Sequence, residues 1–195
     1  PDPAAQRKVW GEVARVAEAQ SAPDRALRAY EATLALDPTD ARALAAIVDV
    51  LEAQERWPEL VSAIRRRSQA AGSGWQQRQD LVRIANIQAS FLDAPKDAIA
   101  TWSEVSSAYG ESADVVDALS ELYTRTAAHA SLAELLGRAA DREDEHLASV
   151  RCRLGETYFK QLGDAPAAVA AYRRALLADP TNESARQGLA LLADD

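Results

Sequence analysis

The sequence predicts an all-α chain of stacked helix pairs, an α-solenoid, and three observations carry that prediction. First, Ala26, Leu60, Ala98, Leu132 and Ala168 each stand four residues before a large apolar residue: Tyr30, Ile64, Trp102, Leu136 and Tyr172. The steps between them are 34, 38, 34 and 36 residues, and a period in the mid-thirties marks a helical repeat array. Second, Ala26, Ala29, Tyr30, Leu34, Asp37, Pro38 and Thr39 recur 142 residues later as Ala168, Ala171, Tyr172, Leu176, Asp179, Pro180 and Thr181. Third, strand formers never alternate over a useful length. The apolar content of 48% is rich in alanine, and the eight glycines and eight prolines fall mainly between helical stretches.

In chain order, the period divides the sequence into units at about 5–38, 40–71, 75–110, 112–141 and 144–180, with a final helix at 182–193. This gives about eleven helices in five antiparallel pairs plus one, in a single array cut from a longer protein. Two unit types alternate. Leu44, Ile47, Leu51, Leu60 and Ile64 of the second unit return in the fourth as Val116, Leu119, Tyr123, Leu132 and Leu136. Ala98, Trp102 and Val105 of the third match Ala26, Tyr30 and Thr33 of the first, with Pro95 for Pro23 and Gly110 for Pro38.

The boundaries have local causes. Asp40, Ser112 and Asn182 stand where a helix N-cap is wanted, just after Pro38, Gly110 and Pro180. Pro23 and Pro95 suit a first turn, where the missing N–H has no helical partner to lose. Gly72-Ser73-Gly74 makes a loop after a long helix at about 57–71. Asp141, Glu143, Asp144 and Glu145 place negative charge at the start of the ninth helix, where the dipole favours it. An extra residue near Leu92 and another near Leu162 predict a bulge or a longer first helix in the third and fifth units.

Composition narrows function. The formal charge is −8, and only Lys8, Lys96 and Lys160 among 22 basic residues are lysines. A net acidic chain repels phosphate backbones, so no nucleic-acid partner is expected. Arg65-Arg66-Arg67 points three ways around a helix and is expected to be a solvated face. Cys152, the single cysteine, permits no intramolecular disulfide. No stretch of 18 apolar residues exists, so no direct membrane insertion is expected. His129 and His146 lack the spacing of a metal pair, and His146 and Cys152, six apart, face different sides of a helix. Neither catalytic residues nor a metal or other cofactor is therefore expected, and the chain is not expected to be an enzyme. The chain starts at Pro1 and holds no Met, so a leader of the parent would be invisible. Localisation is left between cytoplasm and periplasm, and Arg-rich, Lys-poor usage suggests a bacterial source.

These residues resemble the tetratricopeptide repeat (TPR) family over about 7–193. The first unit supplies Trp10, Val13, Ala14, Ala26, Tyr30 and Pro38; the fifth supplies Leu154, Gly155, Tyr158, Ala168, Tyr172, Ala175 and Pro180. Units two and four depart from the family with Leu60 and Leu132 where it has a small residue. The resemblance implies a right-handed superhelix, irregular where leucine replaces alanine because contact side chains set helix separation. It places Trp10 and Trp102 in the core. Trp57 is expected to pack within its own pair, and Trp75, after the Gly-Ser-Gly loop, is the tryptophan expected to be available to a partner.

The family resemblance also implies a function: a noncatalytic scaffold for protein–protein interaction, binding along a concave groove lined by the first helices. Carried across, the groove holds Arg15, Glu18, Asp49, Glu52, Asn86, Asp114, Asp117, Glu121, Glu156 and Phe159, with Lys8, Arg42, Arg125, Cys152 and Lys160 on the same face. Its middle is acidic, which suits a peptide or segment carrying Lys or Arg, with Asn86 bonding its backbone. The clamp that relatives use for acidic chaperone tails is missing, since Gly11, Arg15 and Ala46 occupy its places. The alternative is a structural spacer or self-association segment, for which Leu189 and Leu192 of the last helix are the candidate apolar end.

Overall fold

The computed structural model describes residues 2–142 and 147–193, which form eleven α-helices and no strand. They fall into two compact units, Pro1–Val105 and Ser106–Asp195. The first contains α1 (Pro3–Ala19), α2 (Pro23–Leu36), α3 (Ala41–Ala53), α4 (Trp57–Ala70) and α5 (Gly74–Ser90). Helix α6 (Pro95–Tyr109) carries the division at Val105. The second contains α7 (Ala113–Arg125), α8 (His129–Ala140), α9 (Leu147–Glu156), a π-helical turn at Thr157–Leu162, α10 (Ala165–Ala178) and α11 (Glu183–Ala193).

Caps start the helices largely as the sequence predicts. Asp40 accepts from the Ala43 N–H at 2.9 Å and Asn182 from the Ala185 N–H at 2.9 Å. Ser112 differs: its hydroxyl donates to Asp114 Oδ1 at 2.5 Å and makes no cap bond. Asp141 also differs, closing the end of α8 rather than opening α9. Glu143, Asp144, Glu145 and His146 lie outside the described residues.

A backbone feature recurs with the repeat. Ser21, Glu55, Asp93, Ala127 and Gly163 all have left-handed φ, between 46° and 65°. Their spacing, 34, 38, 34 and 36 residues, is the period read from the side chains. Each lies at the turn between the two helices of a pair. In three of these turns an N–H reaches a carbonyl five residues back: Ala22 to Ala17, Arg56 to Leu51 and Ala128 to Tyr123, at 2.8–3.0 Å. In the other two the reach is six: Ala94 to Gln88 at 2.8 Å and Asp164 to Tyr158 at 2.9 Å. The extra residues near Leu92 and Leu162 are thus absorbed as a wider closing ring, and at the second site as the π turn.

Each unit has its own core. In the first, Leu44, Ile47, Leu51, Leu60, Ile64 and Ile84 are buried; a fully buried Leu or Ile contributes about 1.5–3 kcal/mol. In the second, Cys152, Ala168, Tyr172, Ala175 and Ala185 form a buried cluster against which Phe159, Leu189 and Leu192 pack. The Tyr172 ring lies between two glycines: a Cβ at Gly155 would stand 2.7 Å from it, and one at Gly188 2.4 Å. The equivalents beside Tyr30 are Val13 and Ala46. That ring sits less deeply, and its hydroxyl donates to Glu18 Oε1 at 2.8 Å.

Trp102 is buried as expected, but Trp10 is 40% exposed together with Val9 and Val16. One repeat later the equivalents of Val9 and Trp10 are Ala43 and Leu44, which are buried where α3 packs on α2. Among the described residues no helix precedes α1 to cover the same face. Trp57 also departs from expectation: it stacks on Phe91 of the next pair, ring centroids 4.1 Å apart at 17°.

Candidate partner-binding surface

In the first unit, Arg15, Glu18, Asp49, Glu52 and Asn86 are all exposed on α1, α3 and α5. Arg15 Nε donates to Glu12 at 3.0 Å, and Glu52 accepts from Arg83 Nη2 at 2.6 Å. Asp49 and Asn86 have no ion pair or side-chain hydrogen bond among the described residues. Arg15, Glu18, Lys8 and Arg42 line an open cavity of about 520 Å³ against Tyr30. Burial, and then the bond to Glu18, push the Tyr30 phenol up to about 12, so it stays a neutral donor. The cavity presents both signs of charge.

In the second unit, Asp114, Asp117 and Glu121 are exposed on α7. Arg153 of α9 donates to Asp117 Oδ1 at 2.8 Å, while Glu121 has no ion-pair partner among the described residues. Glu156 and Phe159 are half-buried, and Lys160 Nζ lies 3.7 Å from Glu156. Cys152, expected on this face, is buried instead; burial raises its thiol, which keeps it protonated.

The arginines have a specific use. Glu52–Arg83 and Asp117–Arg153 tie first helix to first helix across one repeat, at 2.6 and 2.8 Å. Arg66–Glu31, Arg65–Glu104 and Arg174–Asp141 do the same along the second helices, at 2.6–2.7 Å. A planar guanidinium reaching over one repeat can hold a carboxylate at two points, which lysine cannot. The run Arg65-Arg66-Arg67 is therefore not a free solvated face: each member has its own carboxylate partner, and Arg67 reaches the buried Asp80. Glu52 and Asp117 are likewise partly neutralised, so the acidic stretch is weaker than its residue list suggests.

No protein-family model and no curated protein matches the sequence. Solved structures do match. YrrB, described as a TPR protein with an unusual peptide-binding site, aligns at TM-score 0.51 and 16% identity over 89% of this chain and 87% of its own. A structure of MamA aligns at TM-score 0.51 and 15% identity, over 86% and 95%. The fold is that of tetratricopeptide-repeat proteins. Identities of 15–16% speak to fold alone.

Asp80 is the polar residue that sequence reasoning missed on this tetratricopeptide fold. The signal was present: Asp80 stands four before Ile84 and seven before Ile87, on the apolar stripe of α5. Trp75, by contrast, is where the sequence predicts an available aromatic, and it is 70% exposed. Among the described residues no helix is long and apolar enough to cross a membrane, and no cluster of His, Cys, Asp and Glu is arranged to hold a metal.

Proposed function

We propose that the chain is a noncatalytic protein-interaction scaffold whose first-helix faces bind a peptide or partner segment carrying Lys or Arg. The observation that carries this reading is the state of Asp49 and Glu121. Both are exposed acids on first helices, and neither has an ion-pair partner among the described residues, whereas Glu52 and Asp117 on the same helices are tied to Arg83 and Arg153. Asn86, also exposed and unbonded, supplies a donor and an acceptor for a partner's backbone. The residues of the proposal are Arg15, Glu18, Asp49, Glu52 and Asn86 on the first unit, and Asp114, Asp117, Glu121, Glu156 and Phe159 on the second. That YrrB has a peptide-binding site on the same fold supports the reading.

The test is a calorimetric titration of the chain with Lys/Arg-rich and Asp/Glu-rich peptides at low and physiological salt. The basic set is expected to bind and to weaken with salt, because a solvated groove is screened over a Debye length of about 8 Å at physiological ionic strength. Equal binding of both sets, or preference for the acidic one, overturns it. A specific observation favours the second reading, a self-association segment. Val9, Trp10 and Val16 expose an apolar face on α1, and Leu191 is exposed on α11. Sedimentation showing concentration-dependent oligomers that Val9→Ser with Trp10→Ser abolishes is its signature.

A further inference from the structure

Two buried side-chain polar atoms in the described residues lack any hydrogen-bond partner: Ser120 Oγ and His129 Nδ1. An unpaired buried polar group costs about 1–3 kcal/mol, so such atoms point to an absent partner. Both belong to side chains lining one cavity of about 300 Å³ within the second unit, between α7, α8 and the end of α9. Its far wall is the π turn, which contributes Thr157, Lys160 and Gln161. The extra residue of that turn matters, because each helical residue advances the side-chain direction by about 100°. π distortions of this kind are frequent at functional sites.

Charge decides what the cavity accepts. A cation meets Arg153 and Lys160 in the wall. A carboxylate meets Glu156 in the same wall, with Lys160 Nζ 3.7 Å from it, and finds Arg153 already donating to Asp117 at 2.8 Å. The two threonine hydroxyls have spent their protons on the backbone: Thr124 on the Ser120 carbonyl and Thr157 on the Arg153 carbonyl, both at 2.8 Å. Their lone pairs remain as acceptors, while Ser120 and Gln161 can donate. The wall therefore offers donors and acceptors with its formal charges paired.

We propose that this cavity is a binding site for a primary carboxamide, with Ser120 Oγ donating to its carbonyl and His129 Nδ1 accepting from its NH2 group. A carboxamide is a small neutral planar group that supplies both an acceptor and a donor. It satisfies both orphaned atoms without displacing either ion pair. The source is a partner's Asn or Gln side chain or a small free amide. The proposal goes beyond the cationic-partner reading and does not rest on it.

The experiment uses the full chain, labelled with ¹⁵N and carrying His146→Gln, so that His129 is the sole imidazole. Its Nδ1 resonance is followed while N-acetylglutamine methylamide, the corresponding glutamate and lysine compounds, and acetamide are titrated in. A saturable shift is expected with the glutamine compound and not with the glutamate or lysine compound. Acetamide saturating at similar concentration assigns the site to a free amide; a response to the glutamine compound alone assigns it to a partner side chain. Ser120→Ala should weaken binding by about tenfold, the worth of one hydrogen bond, without lowering Tm, since the hydroxyl it removes is unpaired. No shift with any compound, an equal shift with glutamate, or a fall in Tm in Ser120→Ala overturns the proposal.

Discussion

Arg67 holds Asp80 by a two-point fork, Nε to Oδ2 at 3.1 Å and Nη2 to Oδ1 at 2.5 Å, although Asp80 is 1% exposed. Gln76 Nε2 adds a third bond, to Oδ1 at 2.9 Å. A charge this deep survives in the fold because the guanidinium and the amide replace its lost water. Breaking a buried pair on one side strands the other charge and costs about 3–5 kcal/mol. Arg67→Ala is therefore expected to lower stability to urea by that amount. The double replacement Arg67→Met with Asp80→Leu should recover most of it, because no charge is left unpaired. If Arg67→Ala changes stability by no more than a surface substitution, the fork does not hold α4 to α5.

The glycines on either side of Tyr172 predict an overpacking effect. With Cβ positions 2.4–2.7 Å from the ring, Gly155→Ala and Gly188→Ala should each cost about 1–3 kcal/mol. Ala168→Leu should cost a similar amount, since Ala168 is fully buried in the same cluster. Combining Gly188→Ala with Tyr172→Leu is the discriminating measurement. A double-mutant cycle with strong coupling places the cost in that contact; simple additivity places it elsewhere.

The period was legible because packing enforces it: Ala26, Leu60, Ala98, Leu132 and Ala168 are all buried, as one position of a stacked repeat has to be. The recurring Asp-Pro-Thr was legible as letters and gains a cause from the structure. Asp37 Oδ1 accepts from the Thr39 hydroxyl and N–H at 2.9 and 3.1 Å, and Asp179 Oδ1 does the same with Thr181 at 2.7 and 2.9 Å. What stayed hidden depended on partners one repeat away. Nothing local says that Arg67 reaches Asp80 or that Arg153 reaches Asp117. Trp10 was misplaced because a repeat pattern gives a residue's position on its helix, not whether another helix covers it.

These Asp-Pro-Thr turns make stability depend on acid. The Thr39 hydroxyl, then its N–H, hold the Asp37 carboxyl below its usual range, with Arg7 adding to the effect; Thr181 does the same for Asp179. A carboxyl depressed in the folded state stabilises above its unfolded pKa, and the contribution disappears as pH falls through the folded value. Thr181→Val should therefore lower Tm at pH 7, with the gap closing below the ordinary carboxylate range. A gap that persists unchanged at pH 2 assigns the loss to packing instead.

Left-handed turns give a prediction with opposite signs at equivalent sites. Ala127 and Gly163 occupy the same turn of the fourth and fifth units, at φ 54° and 65°. A left-handed residue with a Cβ costs roughly 1–2 kcal/mol, and a Cβ at Gly163 would touch nothing within 4 Å. Gly163→Ala should destabilise through the backbone alone, and Ala127→Gly should stabilise by up to about 1 kcal/mol. Measured by thermal unfolding, equal signs at the two positions would contradict this account.

The binding reading is tested most cleanly at its unpaired acids. Asp117→Lys is ambiguous because it also breaks the tie to Arg153, and Glu31→Lys is a poor control because Glu31 holds Arg66 at two points, 2.7 and 3.2 Å. Asp49→Lys and Glu121→Lys carry neither complication. Solvated charges away from such contacts change stability by about 0.5 kcal/mol or less, so both variants should keep their helicity and Tm. Each should weaken a Lys/Arg-bearing partner, and more so at low salt, where the attraction is least screened. Glu134→Lys is the control: Glu134 is exposed on α8, a second helix, and has no ion-pair partner among the described residues. Affinity should be unchanged there. If Glu134→Lys weakens the partner more than Asp49→Lys and Glu121→Lys, the second-helix face is the binding surface, and the first-helix faces are not.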